Sequence, residues 1–165
     1  MLTDYVLTAG CVYWAIRLRA HRRSALWRAA FLVTGFAALA GGTAHGFRVP
    51  LGESWESLWR VTVTSIAASS ALLIAAGLRS GLGPATRDAD RRRLGIRWLL
   101  GAVGITIVAL GALLARVSPH VHFNQNDLYH LIQMAGLYAL YRGAQCLHDR
   151  KGEAGERSLL GAESP

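Results

Sequence analysis

Two stretches of eighteen residues, Val61–Leu78 and Trp98–Ala115, contain no charged side chain, and a third, Ala29–Phe47, is interrupted only by His45. A helix at a water-exposed surface keeps one polar face. These runs are apolar or small all the way round, and a bilayer-spanning helix needs about 20 such residues, with a range of about 17–25. The shorter runs Tyr5–Ile16 and Leu128–Tyr141 reach that range once their polar ends are included. The pattern predicts an all-α integral membrane bundle of five transmembrane helices, near 2–18, 26–47, 58–79, 96–117 and 126–147. Residues 1–147 then form one transmembrane domain. The tail, 148–165, is rich in Gly, Glu and Ser, lacks aromatic residues, and is expected to be disordered and cytoplasmic. A soluble bundle with buried core helices is the competing architecture, and the length of the uncharged runs argues against it.

Charge orients the helices. Basic residues run zero before the first helix, then five, two, six and one in the successive links, and rise again in the tail. Arg17, Arg19, Arg22, Arg23 and Arg28 make up the first basic link; Arg79, Arg87, Arg91–Arg93 and Arg97 make up the second. Positive loops stay in the cytoplasm, so the N-terminus is expected outside and the C-terminus inside, as a multi-pass protein of the bacterial inner membrane. The net charge of +8 is thereby read as membrane topology, and no nucleic-acid partner is expected. Trp27 and Trp98 fall at the expected inner boundary, Trp55 and Trp59 at the outer one. Residues 53–60 could form a short interfacial helix with a Glu56/Arg60 pair, or a plain loop. Gly104 and Gly111, and Gly136 and Gly143, are spaced seven apart and predict close helix contacts. Cys11 and Cys146 fall at different depths, so no disulfide is expected.

This topology gathers polar residues at the outer ends. Asp4 opens the first helix, and His45 closes the second within a collar of small residues, Gly41-Gly42-Thr43-Ala44 and Gly46. Thr62, Thr64 and Ser65 open the third. Ser118, His120 and His122 leave the fourth; Asn126, Asp127 and His130 open the fifth, with Gln133 one turn deeper. Asp127 and His130 share a helix face through their i,i+3 spacing. Polar groups in lipid are costly and are kept where they have partners or work.

Three readings of this cluster stay open. His45 and His130 could bind zinc with Asp4 or Asp127 as third ligand and a water in the open position; Asp127 or Asp4 then serves the catalytic water as base. His45 and His130 could instead be the axial ligands of a b-type haem. Or the residues form a hydrogen-bonded patch that locks helix packing without catalysis. Asp4 and Asp127 also suit helix N-termini, with Asn124 or Asn126 as cap.

Thr3-Asp4-Tyr5, Gly41–Phe47 and Phe123–Gln133 together resemble a family of small bacterial polytopic membrane proteins that carries no assigned activity. The last two segments are also distantly similar to the membrane hydrolase superfamily of alkaline ceramidases and adiponectin-type receptors. That resemblance implies zinc at His45 and His130, with Asp4 or Asp127 completing the site. Asn126 stands where that pattern has a further histidine, and Gly41 where it has a serine. The resulting expectation is an integral membrane protein with an outer-face His/Asp pocket. It would be a metal-dependent hydrolase of lipid-like amides or esters, with the bilayer and a lipid-like substrate as partners. The alternatives are a structural polar cluster and a haem protein.

Overall fold

A computed structural model of the chain describes residues 2–21, 24–82, 89–118, 120 and 124–148. The expected tail from 149 onward, His122, and the loop residues Gly83 and Pro84 lie outside these. The described residues contain no strand. Five long helices carry the fold: α1 (Leu2–Arg17), α2 (Ala25–Gly46), α3 (Ser54–Leu82), α4 (Ala89–Leu114) and α5 (Gln125–Leu147). A 3-10 turn (Leu18–Ala20) follows α1, and a helical turn (Arg48–Leu51) follows α2. Of the five, α2, Ser54–Ser80 of α3, and α4 are each long and apolar enough to cross a bilayer.

Packing follows side-chain size. α1 contacts both α2 and α5; α3 packs on α2, and α4 packs on α5. The order across the molecule is therefore α3, α2, α1, α5, α4, with a small contact between α3 and α5. α1 buries Asp4, Leu7, Cys11 and Ala15, a stripe at helical spacing. On α2, Ala30, Phe31, Thr34, Ala37, Gly41 and Ala44 are buried, and the small members let two neighbours approach. Added Cβ atoms show how closely. One at Gly35 would lie 3.1 Å from Cys11 Cβ, and one at Gly41 would lie 3.2 Å from Thr62 Cγ2.

The α4–α5 contact uses a different face of α4 from the one its glycine spacing predicts. Gly104 and Gly111 look into open space, while Gly95, Ala102 and Ala109 are the buried small residues. On α5 the expectation is met: Gly136 lies under Ile105 and Thr106, and Gly143 under Leu99. The two α4 stripes both repeat every seven residues, so spacing alone does not choose between them.

Other elements also depart from expectation. Trp27 is 1% exposed, packed inside the bundle near the start of α2. Its ring fills the core beside Phe31, and its indole N–H donates to Ser80 Oγ at 3.0 Å, joining α2 to α3. Residues from Ser54 form no separate interfacial helix but run straight into α3; the expected Arg60–Glu56 ion pair is there at 2.6 Å. The break lies just before, at Gly52, whose φ of +51° suits glycine.

The outward faces of α3 and α4 are apolar and exposed, including Val63, Ile66, Ile74 and Leu78 on α3 and Leu100, Val103, Ile107 and Leu114 on α4. In water these would be oversized hydrophobic patches. Against lipid chains they carry no penalty, which matches the length and composition of the same helices.

Candidate functional site

The polar site lies at the end of the bundle where α1 and α5 begin and α2 ends. Asn124 opens α5: its side chain accepts from the backbone N–H of Asn126 (2.8 Å) and of Asp127 (3.2 Å). Asp127 Oδ2 accepts the backbone N–H of Asn124 at 3.3 Å, closing a reciprocal capping box. The sequence Asn-x-x-Asp thus starts the helix by itself and points Asp127 back along it.

The first turn of α1 meets this cap. Thr3 Oγ1 donates to Asp127 Oδ1 at 2.8 Å and lies 3.5 Å from His130 Nδ1. One residue on, Asp4 Oδ1 is 3.3 Å from the same His130 Nδ1. Asp4 is 4% exposed. Its carboxylate is seated against α2: a Cβ added to Gly42 would fall 2.7 Å from Asp4 Cβ. Below it, Thr8 Oγ1 donates to the carbonyls of Asp4 and Gly35 (2.9 and 3.1 Å), and Tyr5 Oη lies 3.4 Å from Thr43 Oγ1. Each polar group brought into the interface has a partner, as burial away from water requires.

His45 goes elsewhere. It is exposed, and its ring meets Trp59 of α3 edge-on, with centroids 5.2 Å apart. Trp59 stacks on Trp55 at 6.1 Å, Trp55 Nε1–H donates to the Ala44 carbonyl at 3.1 Å, and Arg48 lies over the Trp55 ring at 4.6 Å. The end of α2 is thus tied to α3 by an aromatic clamp.

Of the predicted site residues, the structure therefore brings Asp4, Asp127 and His130 together and turns His45 toward Trp59. Both oxygens of Asp127 already accept hydrogen bonds, from Thr3 and from its own helix cap. Among the described residues no group of three His, Cys, Asp or Glu side chains that could hold a metal ion occurs. A catalytic zinc site uses three protein ligands, and Asp4 with His130 supplies two donors. A haem bridging the two histidines meets a different obstacle: α1 stands between α2 and α5. Ser118 and His120 sit in the exposed α4–α5 link, with Ser118 Oγ 3.4 Å from the His120 carbonyl.

Two contributors escaped the sequence reading. Thr3 supplies the hydroxyl that joins Asp127 to the site; its signals were its place beside Asp4 and its share in the Thr3-Asp4-Tyr5 motif. Gly42 supplies the seat for Asp4; its signal was the small-residue collar, which pointed to His45 instead.

The profile of a family of unknown function, DUF6962, matches residues 1–89 and 88–149. The chain belongs to DUF6962. No curated protein and no solved structure matches it. The DUF6962 match runs through all five helices and so takes in every member of the site, from Thr3 to His130.

Proposed function

We propose that this DUF6962 protein crosses the bacterial inner membrane five times, N-terminus outside and C-terminus cytoplasmic. We further propose that its Asp4–His130 pair is the reacting centre of a hydrolase for lipid-like amides or esters. Two observations support the topology. Arginine alternates from link to link, and α1 with its 3-10 turn extends from Leu2 to Ala20 while α5 has 23 residues, both within the spanning range of about 17–25.

The chemistry rests on one contact. Buried Asp4 holds Nδ1 of His130, so Nε2 points away from the carboxylate. That nitrogen is the one to take a proton from an attacking water, and Asp4 would stabilise the imidazolium that forms. General-base assistance of this kind contributes about 10²–10⁴-fold in rate. Asp127 and Thr3 position the pair. No step is routed through a metal, because the donor set falls one ligand short.

A structural reading has its own support: Thr3 to Asp127 and the Asn124 cap tie α1 to α5 whether or not chemistry occurs. Hydrolysis of p-nitrophenyl laurate and N-lauroyl p-nitroanilide by the purified protein in detergent separates the two. Under the hydrolase reading the wild type turns over at least one substrate, and His130→Gln abolishes turnover with little change in Tm. Turnover of neither substrate, with Tm lowered in His130→Gln and Asp4→Asn alike, would leave the structural reading. Metal analysis and an absorption spectrum of the same preparation check zinc and haem. Stoichiometric zinc lost in both His45→Ala and His130→Ala, or a Soret band, would overturn the metal-free scheme.

A further inference from the structure

The polar face of each site helix continues downward as an apolar one. On α1, Thr3, Val6, Gly10 and Trp14 follow one another at three- and four-residue steps; on α5, Asp127, His130, Met134 and Tyr138 do the same. Between these faces lies an open cavity of about 640 Å³, walled by Val6, Gly10, Met134 and Ala135 and lined at its deep end by Trp14 and Tyr138. Gly10 lies on its wall, where an added Cβ would meet the Trp14 ring at 3.5 Å.

The deep end is closed by aromatic packing. Trp14 lies 6.4 Å from Tyr138 and 6.2 Å from Tyr141, and Tyr138 meets Trp98 at 6.2 Å. From Asp4 to Trp14 the helix rises roughly 15 Å at ~1.5 Å per residue. Half of a hydrocarbon core of about 30 Å is the same length. With α1 and α5 in a bilayer, the groove and the Thr3 and His130 side chains one turn above its lining would together span one leaflet.

We propose that this α1–α5 groove binds the chain of a single-chain amphiphile taken from the surrounding bilayer, with its headgroup at Thr3, Asp127 and His130. The mouth selects the headgroup. Asp4 and Asp127 put two carboxylates beside one histidine there, their oxygens engaged with His130, Thr3 and the α5 cap, so a neutral or amine headgroup is tolerated and a phosphate is repelled. Trp14 and Tyr138 set the accepted chain length. This deepens the proposed function by naming its substrate class, and it rests on α1 and α5 crossing the membrane.

The test uses full-length protein in lipid nanodiscs and two photoreactive probes with a mid-chain diazirine: N-dodecanoyl ethanolamine and dodecyl phosphate. Saturable labelling of residues 6–14 and 134–138 by the ethanolamide, exceeding that by the phosphate, is expected. Gly10→Phe fills the groove and should reduce that labelling by about tenfold or more, equivalent to ~1.4 kcal/mol. Ala135→Phe fills it from the other helix and serves if Gly10→Phe does not give a monodisperse protein. Labelling of the groove that is no greater than that of the outward faces of α3 and α4, or that survives both substitutions, would overturn the groove. Absence of label on α3 and α4 as well would overturn the membrane placement beneath it. Hydrolytic activity plays no part in the readout, so a bound but unhydrolysed amphiphile still supports the groove and sinks only the hydrolase.

Discussion

Gly42→Ala is the sharpest perturbation of the site, because it adds one methyl group where a glycine of α2 seats Asp4 of α1. The new Cβ would lie 2.7 Å from Asp4 Cβ and 3.2 Å from Asp4 Cγ. Carbon atoms rest about 3.5–4.0 Å apart, so the first turn of α1 must retreat by about 1 Å. Asp4 is short and sits on a packed helix, so it cannot swing aside as the far end of a leucine could. Because α1 stands between α2 and α5, a shift of that size drives Asp4 toward α5 and distorts its 3.3 Å contact with His130. Overpacking costs about 1–3 kcal/mol. Distorting that interhelical contact adds up to about 0.6 kcal/mol on the membrane-protein average. Alanine recovers about 0.5–1 kcal/mol through the smaller backbone entropy it loses in a helix. The net expectation is a loss of about 1–3 kcal/mol, which lowers Tm by several degrees in a chain of this size. Thermal unfolding in one detergent, read by circular dichroism, measures it. Gly104→Ala is the control: its Cβ meets nothing within 4 Å, so it should leave Tm unchanged or raise it slightly. If Gly42→Ala is as stable as Gly104→Ala, then α1 does not press on α2 at the site, and the seating of Asp4 is wrong.

Three further outcomes follow from named contacts. A double-mutant cycle of Thr3→Val with Asp127→Asn should show a coupling of about 0.6 kcal/mol, and at most about 1.7, in unfolding measurements; additive effects would remove the tie between α1 and the α5 cap. Ser80→Ala strands the buried indole N–H of Trp27 and should cost about 1–3 kcal/mol, whereas Ser70→Ala, at an exposed position, should cost little; equal Tm values for the two would contradict the Trp27–Ser80 bond. A maleimide should modify half-buried Cys146 well before Cys11, which is fully buried, and mass spectrometry of peptides reads the order.

The helices, and the three runs long and apolar enough to cross a bilayer, were legible because they are local properties. An uncharged run of eighteen residues needs no partner to be unfit for water, and each stretch hydrogen-bonds its own backbone when helical. The expected ends agree with the observed ones to within a few residues for α1, α2 and α5. They miss for α3 and α4, which run on into polar segments: Ser54–Ser57 extends α3, and Ala89–Gly95 extends α4. There the apolar signal stops, but the helix does not. The cap of α5 was also readable, since Asn124 and Asp127 are bound to each other through residues three apart.

What the chain alone determined is therefore the set of helices, the clustering of polar residues at their shared end, and the charge alternation that argues for their orientation. The tertiary structure decided which neighbours each helix keeps. Gly104 and Gly111 had the same spacing as Gly95, Ala102 and Ala109, but the helix can present only one of those stripes to α5. His45 and Asp4 stood at matching depths, yet the seat at Gly42 receives Asp4, and the Trp59 ring receives His45. Depth along a helix is a count of residues, and sequence supplies it directly. Rotation about the helix axis is set by which side chains fit against the neighbours, and that fit exists only once all five helices are packed.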